Sequence, residues 1–417
     1  MRFYTLIFSI VLFILFSVFA FLELKKEPIK IGVIHSLSGT MAMSEKSVLD
    51  ATLLSIDEIN KAGGILGKKL EAVVVDGKSS DEGFKDALNQ LIKQNITTIF
   101  GGWTSSSRKA MKPILEKNDA LLFYPIQYEG FESSKNIVYL GLTPNQQVVP
   151  TIDYAVKNFG NRAFLIGSEY IYPKMTNKFI EFISGYMGIS IVAQEYKILG
   201  ARDFSDVIEK IKVTKPSFIL NTLNGDSNMG FFKALKEAGI SLRETPVFSF
   251  SITETEMQTI AQEIGSMEGN YITWSYFNSL DTPQNKELKK LFNTAFAKQT
   301  TITEPMYTAF MGVQLFANSA TKYNCYKTST LKKNIGKQSI GGAGEILSVE
   351  EKNNHTWKQV FIAKVDARGE AQIVWNSKIQ QEPKPFPLYI DSDAMLQYQD
   401  ELYKKWGNKY EASRELK

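Results

Sequence analysis

Ile29-Lys30-Ile31-Gly32-Val33-Ile34 is a short β-branched run, and its alternation with helical segments decides the fold. Val48, Leu49, Leu53, Ile56 and Ile59 recur at helical spacing, and Gly63-Gly64 stand where such a helix would stop. New strand-like runs come at 70–76, 97–101 and 120–124, so the rhythm is strand, helix, strand, with each helix covering one face of a parallel sheet. A second series of the same kind starts at Ala163-Phe164-Leu165-Ile166-Gly167 and continues through 217–221, 246–251 and 271–277. Eight regular β-α units, which a single barrel needs, are not present. Instead, the late runs 358–365 and 371–375 form a hairpin-like pair around Asp366-Ala367-Arg368-Gly369, and the tail after Asp391 reads as helical and charged. The expectation is two α/β lobes, with the chain crossing between them more than once through short ordered hinges.

The 417 residues suffice for two cores, and 44 % hydrophobic with 22 % charged residues is ordinary globular composition. A net charge of +4, with no basic block, gives no electrostatic footprint for nucleic acid. One cation, Arg2, precedes an apolar run from Phe3 to Ala20, which is the pattern of an export segment. Val18-Phe19-Ala20 offers a small-residue cleavage site, but the run is also close to the roughly twenty residues that span a bilayer, so an uncleaved anchor over residues 3–22 remains the other reading. The lone Cys325 lies far from this run, which excludes lipid attachment there, and it has no partner cysteine for an internal disulfide.

Catalysis finds little raw material. Only His35 and His355 are present, so histidine-based triads and clustered His/Cys metal sites are not expected. Ala62-Gly63-Gly64-Ile65-Leu66-Gly67-Lys68-Lys69 lacks the first Gly and the final Ser/Thr of a phosphate loop and reads as a turn, and Gly341-Gly342-Ala343-Gly344 reads as a loop. Asp76, Asp81 and Glu129 read as caps or surface groups. The chain is expected to be no enzyme and to need no cofactor or metal.

Binding chemistry is better supplied. The strand over 97–101 runs into Gly102-Trp103-Thr104-Ser105-Ser106-Ser107-Arg108, where hydroxyls and free N–H groups gather at a helix start that can receive a carbonyl or anionic group. Capping needs only one of these hydroxyls and leaves the Trp and the others unexplained. The next strand exits as Phe123-Tyr124-Pro125-Ile126-Gln127-Tyr128-Glu129-Gly130, at the carboxyl edge where open α/β sheets bind ligands. From the second half, Ser168-Glu169-Tyr170-Ile171-Tyr172-Pro173 and Asn221-Thr222-Leu223-Asn224-Gly225-Asp226-Ser227-Asn228 also succeed strands. Aromatics exclude water there and a few aligned polar groups orient the ligand; each left unpaired would cost about 1–3 kcal/mol. His35, at a strand end, reads as a hydrogen-bonded structural group outside the site.

These same segments, with His35-Ser36-Leu37-Ser38-Gly39-Thr40-Met41-Ala42, Pro144-Asn145-Gln146-Gln147, Asn353-Asn354-His355-Thr356-Trp357-Lys358 and Ile373-Val374-Trp375, resemble the substrate-binding proteins of urea-type ABC importers. That family resembles in turn the wider branched-chain amino acid and amide binders, and the similarity runs from about residue 29 to 387. The resemblance implies a type I periplasmic binding protein fold with the ligand between two lobes. It assigns 28–147 and 276–350 to the N-terminal lobe, 148–275 and 351–395 to the C-terminal lobe, 1–26 to the leader or anchor and 396–417 to a charged tail. It implies Trp103, Thr104, Ser105, Tyr124 and Gln127 as ligand residues of the first lobe and Tyr170, Tyr172, Asn224 and Asp226 as those of the second. Asp226 would accept from the urea nitrogens while the Ser/Thr edge donates to the oxygen. Tyr124-Pro125-Ile126-Gln127-Tyr128 is similar to the urea importers' pattern rather than to the amide sensors' Tyr-Pro-Thr-Pro-Tyr. Glu169, Tyr172 and the 341–347 loop depart from the family. The expected partners are urea or a small amide and the membrane subunits of an ABC permease, in the periplasm; the runner-up function is a membrane-anchored sensor signalling through a separate protein.

Overall fold

The computed structural model describes residues 11–13, 27–298 and 300–412. The export-segment reading falls outside these residues except for 11–13. Among the described residues no helix is long and apolar enough to cross a membrane.

Strands β1 (Ile29–His35), β2 (Leu70–Asp76), β3 (Thr98–Gly101), β4 (Leu121–Tyr124) and β5 (Ile137–Tyr139) form a parallel sheet in the order β2-β1-β3-β4-β5. Helices α1 (Ala42–Lys61), α2 (Asp81–Lys93) and α3 (Ser105–Lys117) connect its first four strands. The expected 3.6-residue pattern of the first helix is borne out: Val48, Leu49, Ile56 and Ile59 of α1 are buried. The β1 face opposite bears Ile31 and Val33 in the same cluster as α1, and Phe100 stacks on Phe123 at 4.7 Å with Phe316 edge-on.

After β5 the chain enters α4 (Pro144–Phe159) and builds a second sheet. Its strands are β6 (Arg162–Ser168), β7 (Ser190–Lys197), β8 (Phe218–Thr222), β9 (Val247–Ser249) and β10 (Asn270–Trp274), all parallel. Between them lie α5 (Ile171–Met187), α6 (Ser205–Thr214), α7 (Ser227–Glu237) and α8 (Glu254–Ile264). The chain then returns through α9 (Pro283–Ala295) and α10 (Glu304–Lys322), and α10 lies along α1, where Ser55 Oγ donates to the Phe310 carbonyl at 2.8 Å. After α11 (Thr328–Asn334), strands β11 (Ser339–Gly341), β12 (Ile346–Val349) and β13 (Thr356–Trp357) make a small antiparallel sheet. Gly341, expected in a loop, closes β11 opposite Ile346, and the turn begins after it.

The hairpin expected late in the chain is β14 (Phe361–Val365) with β15 (Ala371–Asn376), added antiparallel to β10 to give the order β15-β14-β10-β9-β8-β6-β7. Asp366 Oδ1 fixes its turn by accepting from the N–H groups of Arg368 (2.8 Å) and Glu370 (2.9 Å). Residues 358–360, read as strand, are instead the link that feeds β14. The helical tail is α12 (Ser392–Lys405), capped by Asp391, whose side chain accepts from Ala394 N–H.

Candidate ligand-binding site

The parallel strands of both sheets end at the same cleft. In the first sheet β3 finishes at Gly101 with φ +124°, and a Cβ there would lie 2.0 Å from the Ile34 carbonyl oxygen, so glycine lets β1 and β3 stay paired up to the edge. Past it stands Trp103, 2 % exposed, with no partner for its Nε1. Thr104 is the N-cap of α3: its Oγ1 accepts from Ser107 N–H at 3.1 Å and from Ser106 Oγ at 3.0 Å. Tyr124, at the end of β4, donates its hydroxyl to the Trp103 carbonyl at 2.5 Å, which fixes the Trp103 backbone against the neighbouring strand. Gln127 Nε2 reaches across to the second lobe, donating to the Phe250 carbonyl at 3.0 Å and to Ser251 Oγ at 3.2 Å; its Oε1 is buried without a partner.

From the second sheet, Tyr170 is the N-cap of α5 and Tyr172 lies in its first turn, with ring centroids 6.3 Å apart. Burial pushes the Tyr172 phenol up to about 12. Its Oη faces Ser251, Gln127 and Thr176, yet neither Tyr172 Oη nor Thr176 Oγ1 has a hydrogen-bond partner in the protein. Trp103, Tyr124, Tyr170, Tyr172 and Phe250 belong to one apolar cluster that spans both lobes. The cleft is shut: besides Gln127, Ser44 Oγ in α1 donates to Glu256 Oε1 in α8 at 3.0 Å.

The structure thus brings together Trp103, Tyr124, Gln127, Tyr170 and Tyr172. Thr104 and Ser105 lie beside them but are occupied, one as cap and one by a buried ion network. Asn224 is buried and holds its own loop, its N–H donating to Ser168 Oγ at 3.1 Å. Asp226 lies at the rim instead: Gly225 (φ +57°) sits against Thr40 and Met41 of the first lobe, and Asp226, at the start of α7, is exposed on a groove lined also by Met43, Arg202 and Lys233. A carboxylate in that place keeps its hydration, which the cleft would strip from it.

Sequence reasoning missed the network behind the cleft. Glu129, read as a cap or surface group, is wholly buried. Arg108 Nη2 meets Glu129 Oε1 at 3.1 Å, its Nε meets Glu132 Oε1 at 2.8 Å, and its Nη1 donates to Ser105 Oγ at 3.0 Å. Lys109 Nζ bridges the two carboxylates at 3.4 and 3.0 Å, and Ser105 Oγ donates to Glu129 Oε2. The guanidinium lies over the Tyr124 and Tyr128 rings at 4.9 and 4.5 Å. Although burial opposes ionisation, Arg108 and Lys109 hold the Glu132 carboxyl well below its usual range. His355, stacked on Tyr139 at 4.1 Å, is pushed down to about 3 by burial and stays neutral. The only sequence signal was four charged residues in two short segments, and nothing local pairs them.

His35 is buried with Nδ1 at 3.0 Å from Glu45 Oε2, as a structural group would be, but its Nε2 and Glu45 Oε1 are unpartnered. Among the described residues no group of three or more His, Cys, Asp or Glu could hold a metal.

Two sheets whose carboxyl edges meet over buried polar and aromatic side chains make the two-lobed arrangement of a receptor for a small solute. Residues 29–392 match the family described as periplasmic binding protein domain, and the chain belongs to that family. It is 23 % identical over 349 residues to a Leu/Ile/Val-binding protein of Rhizobium johnstonii, covering 79 % of this chain and 92 % of the relative. Among solved structures, an amino acid ABC transporter substrate-binding protein from Pseudomonas fluorescens superposes with a TM-score of 0.76 at 17 % identity, over 88 % of this chain and 99 % of that one. An ABC transporter solute-binding protein from Rhodopseudomonas palustris, in complex with p-hydroxybenzoic acid, gives 0.77 at 22 % identity over 87 % and 99 %. The fold is the type I periplasmic binding protein fold expected from the sequence.

Proposed function

We propose that this chain captures a solute outside the cytoplasm for an ABC importer, and that the solute is a small neutral amide, urea first among them. The observation that carries the reading is the character of the unpartnered atoms in the cleft. Trp103 Nε1 is a donor, Gln127 Oε1 an acceptor, and the Tyr172 and Thr176 hydroxyls are both. Each would cost about 1–3 kcal/mol if left unmet in a closed cleft, so a ligand that both accepts and donates is favoured there. The charges nearest them, Arg108, Lys109, Glu129 and Glu132, are committed to one another, which leaves no free counter-ion in that group for an ionic solute. A carbonyl with amide nitrogens fits this set. The likeness of Trp103, Tyr124 and Gln127 to the urea-type pattern supports the same choice, and the importer relatives support a permease partner.

The relatives are named for branched-chain amino acids and aromatic acids, and one observation favours an amino acid as second reading: the unpartnered Glu45 Oε1, beside His35 at the end of β1, can take an ammonium group. Calorimetric titration of the purified chain with urea, acetamide, leucine and 4-hydroxybenzoate separates the two. Saturable urea binding that Tyr172→Phe weakens by about tenfold, the effect of losing one buried hydrogen bond, is the expected result. Tight leucine binding without urea binding overturns the amide reading.

A further inference from the structure

The family match ends at residue 392, but the described chain continues to 412, and that segment touches both lobes. Helix α12 packs along α5 of the second lobe, and Met395, Leu402 and Trp406 are buried in the apolar cluster that also holds Trp103 and Tyr170. Beyond the helix, Ile171 N–H donates to the Tyr410 carbonyl at 2.9 Å, Ala412 N–H donates to the Glu169 carbonyl at 3.1 Å, and Glu411 bridges to Tyr170. On the first lobe, Lys109 Nζ donates to Gln399 Oε1 at 2.7 Å and Tyr410 N–H donates to Asp81 Oδ2 at 3.3 Å. The segment therefore lies across one flank of the cleft mouth, bound to α2 and α3 on one side and to α5 on the other.

We propose that residues 393–412 are a clasp that holds the two lobes closed over the ligand and positions Tyr170 through the strand-like contact of Tyr410 to Ala412 with Glu169 to Ile171. A hinge opening of the lobes must break one set of these contacts. The contacts to the second lobe are backbone pairs and buried apolar side chains, whereas the polar contacts to the first are two side-chain hydrogen bonds and the Lys109 ammonium over the Tyr410 ring at 6.0 Å. The first-lobe side is the weaker, so the clasp stays with α5 and releases α2 and α3. The ligand-facing role of Tyr170 rests on the function proposed above, but the closure role does not.

The test is the full chain carrying Asp81→Ala and Gln399→Ala, which removes both first-lobe hydrogen bonds, keeps only the distant Lys109–Tyr410 ring contact and leaves the cleft residues untouched. Small-angle scattering of the ligand-free variant should show a larger radius of gyration than the parent, and stopped-flow urea release should be about tenfold faster, the scale of one to two modest hydrogen bonds. Identical scattering overturns the clasp; failure of urea to bind the parent chain defeats the amide reading and leaves the scattering comparison in force. Hydrogen exchange on the unmodified chain is a second readout that no folding defect can confuse. The Tyr410 amide, which faces Asp81, should exchange faster than the Ile171 and Ala412 amides, which stay on the second lobe. Equal exchange at all three contradicts release from the first lobe.

Discussion

Arg108→Met removes the cation that two buried carboxylates share. Glu129 then keeps Lys109 at 3.4 Å and the Ser105 hydroxyl, and Glu132 keeps Lys109 at 3.0 Å and the Tyr139 hydroxyl at 3.0 Å. One ammonium must serve both, so one negative charge stays in the interior without its partner. Breaking a buried pair in this way costs about 3–5 kcal/mol. The pH dependence gives a sharper check. In the parent the Glu132 carboxyl is held low, so its contribution is present above the unfolded value of 4.5 and is lost only as pH falls through the lower folded value. In the variant one carboxyl of the pair must rise, so the folded state binds a proton that the unfolded state releases above about pH 4.5. The stability gap between variant and parent should therefore narrow on going from pH 7.5 to 5.5, by up to roughly 1.4 kcal/mol per pH unit over which that proton is held. Guanidinium chloride unfolding followed by tryptophan fluorescence measures both quantities; urea is avoided because it is a candidate ligand. Adding Glu129→Gln to Arg108→Met should restore part of the loss. A gap below about 1 kcal/mol, unchanged by pH, refutes the reasoning.

Glu254, buried at the start of α8, has its carboxyl pushed up to about 8 by burial, against a hydrogen bond from Asn278 N–H at 3.1 Å. It keeps its proton when folded but loses it above about 4.5 when unfolded, so parent stability should fall as pH rises from 4.5 to 8 and level off above that. Glu254→Gln should flatten that slope, and parallel melting curves across pH 5–8 for both proteins would count against the assignment. Gly101→Ala places a Cβ 2.0 Å from the Ile34 carbonyl at φ +124°, and should lose about 2–3 kcal/mol in the same unfolding assay; a loss under about 0.5 kcal/mol would mean that β1 and β3 separate freely at the cleft edge.

Local signals in the sequence were enough for the elements and their class. The helical spacing of Val48, Leu49, Ile56 and Ile59, the β-branched runs at 29–34, 70–76 and 163–167 and the turn at Asp366 act within a few residues, and each forms the element its pattern implies. The edge at which the candidate residues meet was legible too, because the carboxyl end of a parallel strand is set by the βαβ rhythm, so Trp103, Tyr124 and Gln127 had to arrive at one edge. What the sequence left open depends on distant neighbours. Glu129 is read as a surface group until Arg108, 21 residues earlier, folds onto it. Asp226 comes after the correct strand, but it stands exposed at the rim, and no pattern in the flanking residues announces that place. Most distant of all, Gln399 meets Lys109 across 290 residues. The tail thereby changes from a charged helix into a segment joining both lobes. Backbone preference and hydrophobic period are properties of neighbouring residues, and the sequence by itself determined what depends on them. Charge pairing, burial and lobe closure are properties of surfaces that meet only after the chain has crossed between the lobes, and the tertiary structure alone decided those.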